Sequence, residues 1–383
     1  MDRAQRRRRN RSVPVAKKRS RRRSNTTRKR RGERLKFAIL CEGKFDPLTS
    51  KTANACIRYS PGRVAAIIDS TKAGRSAQDV LGFGGAIPVV RTLDQARTAG
   101  ATALLIGIAP QGGQLPPEWR VIVADSLRYK MDVWSGLHTF IGDDQEFAAL
   151  SAKHGATIHD LRRPPKNLPV ASGRVRDVAA TVVLTVGTDC NIGKMTAQIE
   201  LRNALKKRGV RVAFAATGQT GILVEGWGIA VDAVIADFIA GAAEDLVLRA
   251  AKDADIVLVE GQGSIVHPGY SGVTYGLIHG SLPHGLLLCA QPTRKAITHN
   301  EWVPIPPLKH MVDMHETIMK PLRPAKVIGL PLVTFDLDDA SAKREIEKAR
   351  AETGLPATDP VRYDPAPLVD AIMTLHEQVQ SAR

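Results

Sequence analysis

The chain of 383 residues is long enough for two domains, and its 43% hydrophobic and 24% charged residues are typical of a globular protein. No uncharged apolar stretch reaches about 18 residues, so the sequence predicts no membrane-spanning helix. The four cysteines lie far apart, which argues against a disulfide scaffold or a zinc ribbon and favours a cytoplasmic location.

The net charge of +17 is concentrated in residues 1–34, which hold 17 Lys and Arg, two acids and a net charge of +15. This segment has too few apolar residues to bury a core, so we expect a disordered tail. Two interpretations stand: an arm that binds nucleic-acid phosphates, and an extension that is dispensable for activity. The rest of the chain is nearly neutral, so we expect nucleic-acid contact only through this tail.

Short apolar runs alternate with helical patterns from residue 35 to residue 165. The predicted strands are Lys36–Leu40, Val64–Asp69, Pro88–Val90, Ala103–Gly107 and Thr157–Asp160, and the predicted helices are Ser50–Tyr59, Leu93–Ala99, Pro117–Met131 and Asp143–His154. This alternation predicts a parallel sheet covered on both faces, in a Rossmann-like N-terminal domain. The glycines of Gly82–Gly85 lack the spacing of a dinucleotide-binding turn, so we predict no NAD site there.

A proline-containing linker, residues 166–179, separates this domain from a second α/β series, residues 180–383. Its predicted strands are Thr181–Val186, Arg211–Ala216, Asp255–Glu260, Gly285–Ala290 and Lys326–Leu330, and its predicted helices are Lys194–Arg208, Ala236–Lys252, Met311–Met319, Ala340–Thr353 and Pro367–Val379. The sequence therefore predicts the α/β fold class, with a Rossmann-like domain followed by a P-loop NTPase-like domain.

A glycine-rich loop between the first strand and first helix of the second domain predicts a phosphate-binding site. Backbone N–H groups, the helix N-terminus and a lysine converge on an anion in such a loop. The spacing between the first glycine and Gly-Lys is one residue longer than in the usual P-loop, and a methionine replaces the hydroxyl that binds Mg²⁺. We therefore predict phosphate binding and disfavour a Mg²⁺-nucleotide. The predicted cofactor-binding residues are Gly187, Thr188, Asp189, Cys190, Asn191, Ile192, Gly193, Lys194, Met195 and Thr196.

Polar residues at the ends of neighbouring strands predict catalytic and substrate-binding groups at the same sheet edge. Glu260 ends one strand, and Asp237 recurs with Glu244 at helical spacing, so either Asp237 or Glu260 is a candidate general base. His267 and His279 are candidate acid–base groups in a glycine-rich stretch, residues 264–280.

The polar loop 217–221 follows the second strand of this domain, and we predict that its Gln219 and Thr220 bind substrate. Arg294 and Lys295, just after a later strand, are candidates for binding substrate carboxylates. Backbone N–H groups of either 187–194 or 261–264 are candidate donors to an oxyanion. Because the ten histidines lack metal-ligand spacing, we predict no metal site.

Two resemblances follow from these motifs. The loop is similar to that of dethiobiotin synthetase, which reads Gly-Thr-Asp before Gly-Lys with the same longer spacing. Residues 35–383 more closely resemble a family of two-domain proteins, Rossmann-like then P-loop-like, long described only as a domain of unknown function. The matching stretches are Lys51–Ala53, Gly187–Thr196, Ala216–Gly221, Asp232–Glu244 and Val259–Ser264.

That family includes D-glutamate N-acetyltransferase. The resemblance implies acetyl-CoA as acetyl donor, D-glutamate as acceptor, and N-acetyl-D-glutamate racemase as a pathway neighbour in D-glutamate catabolism; we also expect a homo-oligomer. Two other functions remain open from the residues alone: an ATP- and Mg²⁺-dependent ligase like dethiobiotin synthetase, and a nucleotide-responsive binding protein whose tail contacts nucleic acid. The methionine beside the loop lysine favours the acetyltransferase over the ligase.

Overall fold

The computed structural model describes residues 35–108 and 113–383, and it contains two six-stranded parallel sheets with helices between the strands. The predicted α/β class, Rossmann-like and then P-loop-like, is confirmed. The predicted basic tail, residues 1–34, lies outside the described residues. In the part of the chain that is described, no helix combines the length and the apolar character needed to cross a bilayer.

The first sheet has the strand order β3-β2-β1-β4-β5-β6, with a topological switch between β1 and β4. Alternate residues of each strand point to opposite faces, so Ala38 and Leu40 pack in one apolar cluster while Phe37 and Ile39 pack in another. The strands are β1 (Phe37–Leu40), β2 (Val64–Ile68), β3 (Val89–Val90), β4 (Ala103–Ile106), β5 (Asp132–Ser135) and β6 (Ile158–Asp160). The helices are α1 (Lys51–Tyr59), α2 (Ala77–Leu81), α3 (Leu93–Thr98), α4 (Arg120–Arg128) and α5 (Gln145–His154).

The second sheet has the strand order β14-β13-β10-β7-β9-β8, so its central strand β7 lies beside the topological switch. Its strands are β7 (Thr181–Gly187), β8 (Val212–Ala215), β9 (Ile256–Val259), β10 (Gly285–Cys289), β13 (Lys326–Pro331) and β14 (Ala357–Thr358), and an antiparallel ribbon is formed by β11 (Ala296–Ile297) and β12 (Asn300–Pro304). The helices are α6 (Lys194–Lys207), α7 (Gln219–Glu225), α8 (Ala236–Ala250), α9 (Ser271–Ser281), α10 (Leu308–Met319), α11 (Asp339–Thr353) and α12 (Ala366–Ser381).

Several segments differ from the sequence-based prediction, which also lacked α2, β14 and the ribbon β11–β12. Strand β5 was not predicted because its four residues include only two apolar side chains, Val133 and Trp134, too few for a recognisable period. Residues 217–221 are not a loop throughout, since α7 begins at Gln219. Helix α9 was not predicted; it forms despite its three glycines and buries Leu277 and Ile278.

The carboxyl edges of the two sheets face each other, and α1 of the first domain packs on α7 of the second. Hydrogen bonds that cross this boundary include those from Gln219 Nε2 to Thr52 Oγ1 (3.4 Å), from the Tyr59 hydroxyl to Glu200 Oε1 (3.0 Å) and from Arg63 to the Leu223 carbonyl (3.3 Å). The approach is close at Gly136, where a Cβ atom would lie 1.3 Å from Gln219 Oε1, so only glycine fits. The crevice between carboxyl edges is where open α/β sheets bind ligands.

Candidate active site

The phosphate loop connects the carboxyl end of β7 to the first turn of α6. It turns through two left-handed residues, Asn191 (φ 52°) and Gly193 (φ 82°), immediately before the helix begins at Lys194. Five successive backbone N–H groups of this segment, from Asn191 to Met195, donate a hydrogen bond to no protein oxygen of the described chain. Unpaired N–H groups at a helix N-terminus, with the positive end of the helix dipole, form an anion site. These five groups belong to Asn191, Ile192, Gly193, Lys194 and Met195.

Lys194 brings a buried positive charge to this loop. Its side chain is 6% exposed, and Nζ donates a hydrogen bond to the backbone carbonyl of Asp189 at 2.6 Å. Burial lowers the pKa of Lys194 below its ordinary value, and the nearby Cys190 thiol offsets part of this effect. No carboxylate of the described residues forms an ion pair with it. A buried ammonium with only a neutral partner is suited to an incoming anion.

Asp189 is the centre of a hydrogen-bonded clamp on the loop. Arg294 and Thr298 both donate to its Oδ2, from 2.9 to 3.0 Å, and the Cys190 N–H donates to Oδ1 at 2.6 Å. Burial alone would raise the pKa of Asp189, but these donors together hold it below its ordinary value. The clamp fixes the conformation in which the loop N–H groups remain unpaired.

This clamp changes the interpretation of Arg294, which the sequence predicted to bind a substrate carboxylate. Its guanidinium contacts Asp189 Oδ2, the Cys190 carbonyl (2.6 Å) and Gln291 Oε1 (2.9 Å), so it is engaged by the loop and its surroundings. Lys295, the other predicted carboxylate ligand, donates to the Pro292 carbonyl in its own turn. Both residues follow β10 at the carboxyl edge of the sheet, and substrate binding by either residue remains a prediction.

The two residues after Lys194 point away from the anion site. Met195 is 8% exposed and belongs to the apolar cluster that includes Ala55 of α1, so its side chain helps to join the two domains. The Thr196 side chain lies beside the Tyr59 hydroxyl of the first domain. Neither residue therefore places an oxygen beside the loop where a P-loop enzyme binds Mg²⁺.

Glu260 follows β9 and lies at the N-terminus of α7. Its Oε2 accepts hydrogen bonds from the backbone N–H groups of Thr217 (2.9 Å) and Gly218 (3.0 Å), whereas Oε1 has no donor among the described residues. Burial raises the pKa of Glu260 above its ordinary value, although these two hydrogen bonds and the charge of Lys51 oppose the shift. A carboxylate with one anchored and one free oxygen and a raised pKa is suited to accept a proton.

His267 lies next to the loop, as the sequence predicted for a candidate acid–base group. Its Nδ1 accepts a hydrogen bond from the Gly269 N–H (3.0 Å), which leaves the proton of the neutral ring on Nε2, 3.9 Å from Asp189 Oδ1. Burial lowers the pKa of His267, so the ring is neutral near pH 7. It can donate a hydrogen bond from Nε2, whereas accepting a proton there requires the other tautomer.

Asp189, Cys190 and His267 also form a group that could hold a metal ion, with one ligand atom from each within 4.8 Å of the others. The sequence spacing did not indicate this group, because His267 comes from a distant segment. Its donors are already engaged: the Asp189 carboxylate accepts from Arg294 and Thr298, and the His267 ring nitrogen nearest to it carries a proton. We assign no metal to it.

The remaining predicted residues divide between the crevice and the surface. Gln219 and Thr220 are buried in the first turn of α7, beside Glu260. Asp237 is exposed in the first turn of α8, with no contact to the loop in the described chain, and His279 is exposed on α9. Glu244 is buried but accepts hydrogen bonds from the linker, residues 172–174, so it holds the linker to α8. Of the two candidate bases, only Glu260 faces the crevice.

The first domain contributes a residue that sequence reasoning did not assign. Lys51, the first residue of α1, donates from Nζ to Asn191 Oδ1 of the phosphate loop at 3.0 Å. The loop and Lys51 are 140 residues apart, so no local pattern connects them. The available signal was the stretch Lys51–Ala53, which the family resemblance included without indicating a role.

Two protein-family profiles match the two domains of the chain. The profile of a Rossmann-like domain of unknown function, DUF1611_N, matches residues 70–164, and that of its P-loop partner, DUF1611_C, matches residues 169–369. The chain belongs to the DUF1611 family. A crystal structure of a DUF1611 protein from Anabaena variabilis is 41% identical, with a TM-score of 0.85 over 89% of this chain and 99% of the other.

Two DUF1611 relatives carry a functional name. A protein from Tritonibacter scottomollicae is 39% identical over 285 residues, which cover 73% of this chain and 84% of the relative. A protein from Pseudoalteromonas is 35% identical over 269 residues, which cover 70% of this chain and 80% of the relative. Both are named D-glutamate N-acetyltransferase.

Proposed function

We propose that this DUF1611 protein is an N-acetyltransferase that transfers the acetyl group of acetyl-CoA to the amine of D-glutamate. The observation that carries the proposal is the pairing of an anion site without a metal-binding hydroxyl, at 187–196, with a buried carboxylate that has a free oxygen, Glu260. The names of the two relatives support the acceptor and the reaction.

The anion site is suited to coenzyme A, which carries a pyrophosphate and a 3′-phosphate. Lys194 would neutralise one phosphate, and the free N–H groups of 191–195 would donate to its oxygens. The carboxylates of Asp189 and Glu260 do not pair with Lys194, so its charge remains available to a ligand. This use of the loop needs no Mg²⁺, in agreement with the positions of Met195 and Thr196.

Acetyl transfer requires that the substrate ammonium lose a proton before the nitrogen attacks. Glu260 Oε1 would accept that proton, the amine lone pair would form the bond to the acetyl carbon, and the thiolate of coenzyme A would leave with the electrons of the broken C–S bond. The developing oxyanion needs a donor, and His267 Nε2–H is the candidate that the phosphate does not occupy. The Gly261 N–H, predicted as an alternative donor, already donates to Thr185 Oγ1 at 2.9 Å.

The test is to incubate the purified protein with D-glutamate and either acetyl-CoA or ATP with Mg²⁺, each with and without EDTA. We expect release of free CoA thiol and formation of N-acetylglutamate, unaffected by EDTA, and no ADP. L-Glutamate is the matched control for the acceptor. Formation of ADP that is lost with EDTA, without release of thiol, would instead support a ligase of the dethiobiotin synthetase type.

A further inference from the structure

Lys51 carries a positive charge from the first domain into the anion site of the second. Its one hydrogen bond goes to a neutral atom, Asn191 Oδ1, and no ion pair joins it to a carboxylate of the described residues. Lys51 keeps solvent access although protein surrounds it, so it lines an open crevice. This surrounding protein lowers the pKa of Lys51, and the charge that opposes the shift most is that of Glu260.

Glu260 lies near Lys51 and has one carboxylate oxygen that accepts no hydrogen bond from the described residues. Its Oε2 is held by the N–H groups of Thr217 and Gly218, whereas Oε1 has no donor in the described chain. Gln219, the residue after Gly218, contacts Thr52 beside Lys51 through its Nε2, so α1 and α7 meet at this point of the crevice. A cation and an anion therefore lie near each other without forming an ion pair. A ligand that carries both charges would satisfy them.

We propose that Lys51 and Glu260 together bind an α-amino acid, with its α-carboxylate on the Lys51 ammonium and its amine on Glu260 Oε1. This proposal rests on the proposed function and adds the acceptor site to it. An α-amino acid carries an ammonium and a carboxylate on one carbon, which complements a lysine and a glutamate that do not pair. A phosphate in the same position would satisfy Lys51 but repel Glu260.

The position of Lys51 also explains why the site needs both domains. Its contact with Asn191 brings the first domain against the loop that would hold the acyl donor, so donor and acceptor would bind in the same crevice. Arg162, which is 8% exposed, strengthens the domain boundary here, since its guanidinium contacts both the Gly136 carbonyl (2.6 Å) and Asp232. Positioning the acceptor against the donor in this way is a main contribution to transfer rates.

The experiment compares wild type with Lys51→Met, which keeps the length of the side chain without its charge, and Lys51→Arg, which keeps the charge. Binding of D-glutamate and of acetyl-CoA is measured separately by calorimetry, and kcat and KM are measured for each substrate. We expect Lys51→Met to weaken D-glutamate binding about 10- to 150-fold, the effect of one charge-assisted hydrogen bond, and to change acetyl-CoA binding by less than about twofold. Lys51→Arg should restore a substantial part of D-glutamate binding.

A second amine substrate, 4-aminobutanoate, identifies which carboxylate of D-glutamate Lys51 binds. 4-Aminobutanoate is D-glutamate without its α-carboxylate, so the wild type should prefer D-glutamate strongly and Lys51→Met should lose most of that preference. If Lys51→Met keeps the wild-type preference for D-glutamate over 4-aminobutanoate, the proposal is overturned. It is also overturned if the variant binds acetyl-CoA more weakly but D-glutamate normally, because Lys51 would then bind the phosphates. If the wild type binds D-glutamate through Lys51 but transfers no acetyl group, the site stands and the proposed reaction fails. If it binds no amino acid, both fail.

Discussion

Lys194→Met removes the charge of the phosphate loop and keeps most of the side-chain volume. The lysine is buried and its ammonium contacts only the Asp189 carbonyl, at 2.6 Å, so the fold does not depend on an ion pair that the substitution would break. The ligand, in contrast, loses a cation that its phosphate would contact. We therefore expect a large effect on acetyl-CoA binding and a small one on folding.

The magnitude follows from one charge-assisted hydrogen bond. Such contacts contribute about 1.5–3 kcal/mol, and about 1.4 kcal/mol corresponds to a tenfold change in affinity. Lys194→Met should therefore raise the Kd of acetyl-CoA about 10- to 150-fold. The five N–H groups of 191–195 remain in place, so binding should weaken and not disappear.

Thermal unfolding supplies the control for this prediction. Because burial lowers the pKa of Lys194 in the folded state, the folded protein binds fewer protons than the unfolded chain between the two pKa values, and wild-type stability rises as the pH rises toward 10.5. The methionine variant should be at least as stable at pH 7, and its advantage should shrink toward pH 10.5. The reasoning is refuted if the variant is folded and binds acetyl-CoA as tightly as wild type by calorimetry.

The remaining predictions concern the base, the clamp and the tail. Glu260→Gln should abolish transfer. At pH values above the folded-state pKa of Glu260 the variant should have a higher Tm than wild type, because the raised pKa of Glu260 means that wild-type stability is lost as the pH rises through that pKa. The difference in Tm should vanish below pH 4.5. An unchanged rate would exclude Glu260 as base. Arg294→Ala should lower stability in urea by about 3 kcal/mol because it leaves Asp189 buried without its cation; Lys295→Ala, at an exposed neighbour, should not. Deleting residues 1–33 should leave kcat within about twofold, and a larger loss with the fold intact would contradict a dispensable tail.

The local sequence was sufficient for the α/β class of both domains, for most strands of the two sheets and for the glycine-rich loop before α6, but not for β5 or β14. A strand such as 181–186 is apolar on both faces, so both faces must be buried. The helices that connect such strands cross over the sheet, and the strands are therefore parallel. A loop with Gly187 and Gly193 that leads into a helix at Lys194 has an anion site by its backbone alone. Glu260 could be predicted for the same reason, because the end of a neighbouring parallel strand must lie at the same edge.

The partners of these residues were decided only by tertiary structure. Arg294 and Asp189 are 105 residues apart, and the sequence could not indicate that the arginine would hydrogen-bond the loop. Asp237 and Glu260 were equal candidates until the fold placed one on the surface and the other in the crevice. Lys51 reaches the loop from the other domain because the carboxyl edges of the two sheets face each other, and that arrangement depends on packing between α1 and α7. Local patterns determine backbone geometry, whereas charge pairing across the crevice depends on contacts that only the complete fold brings together.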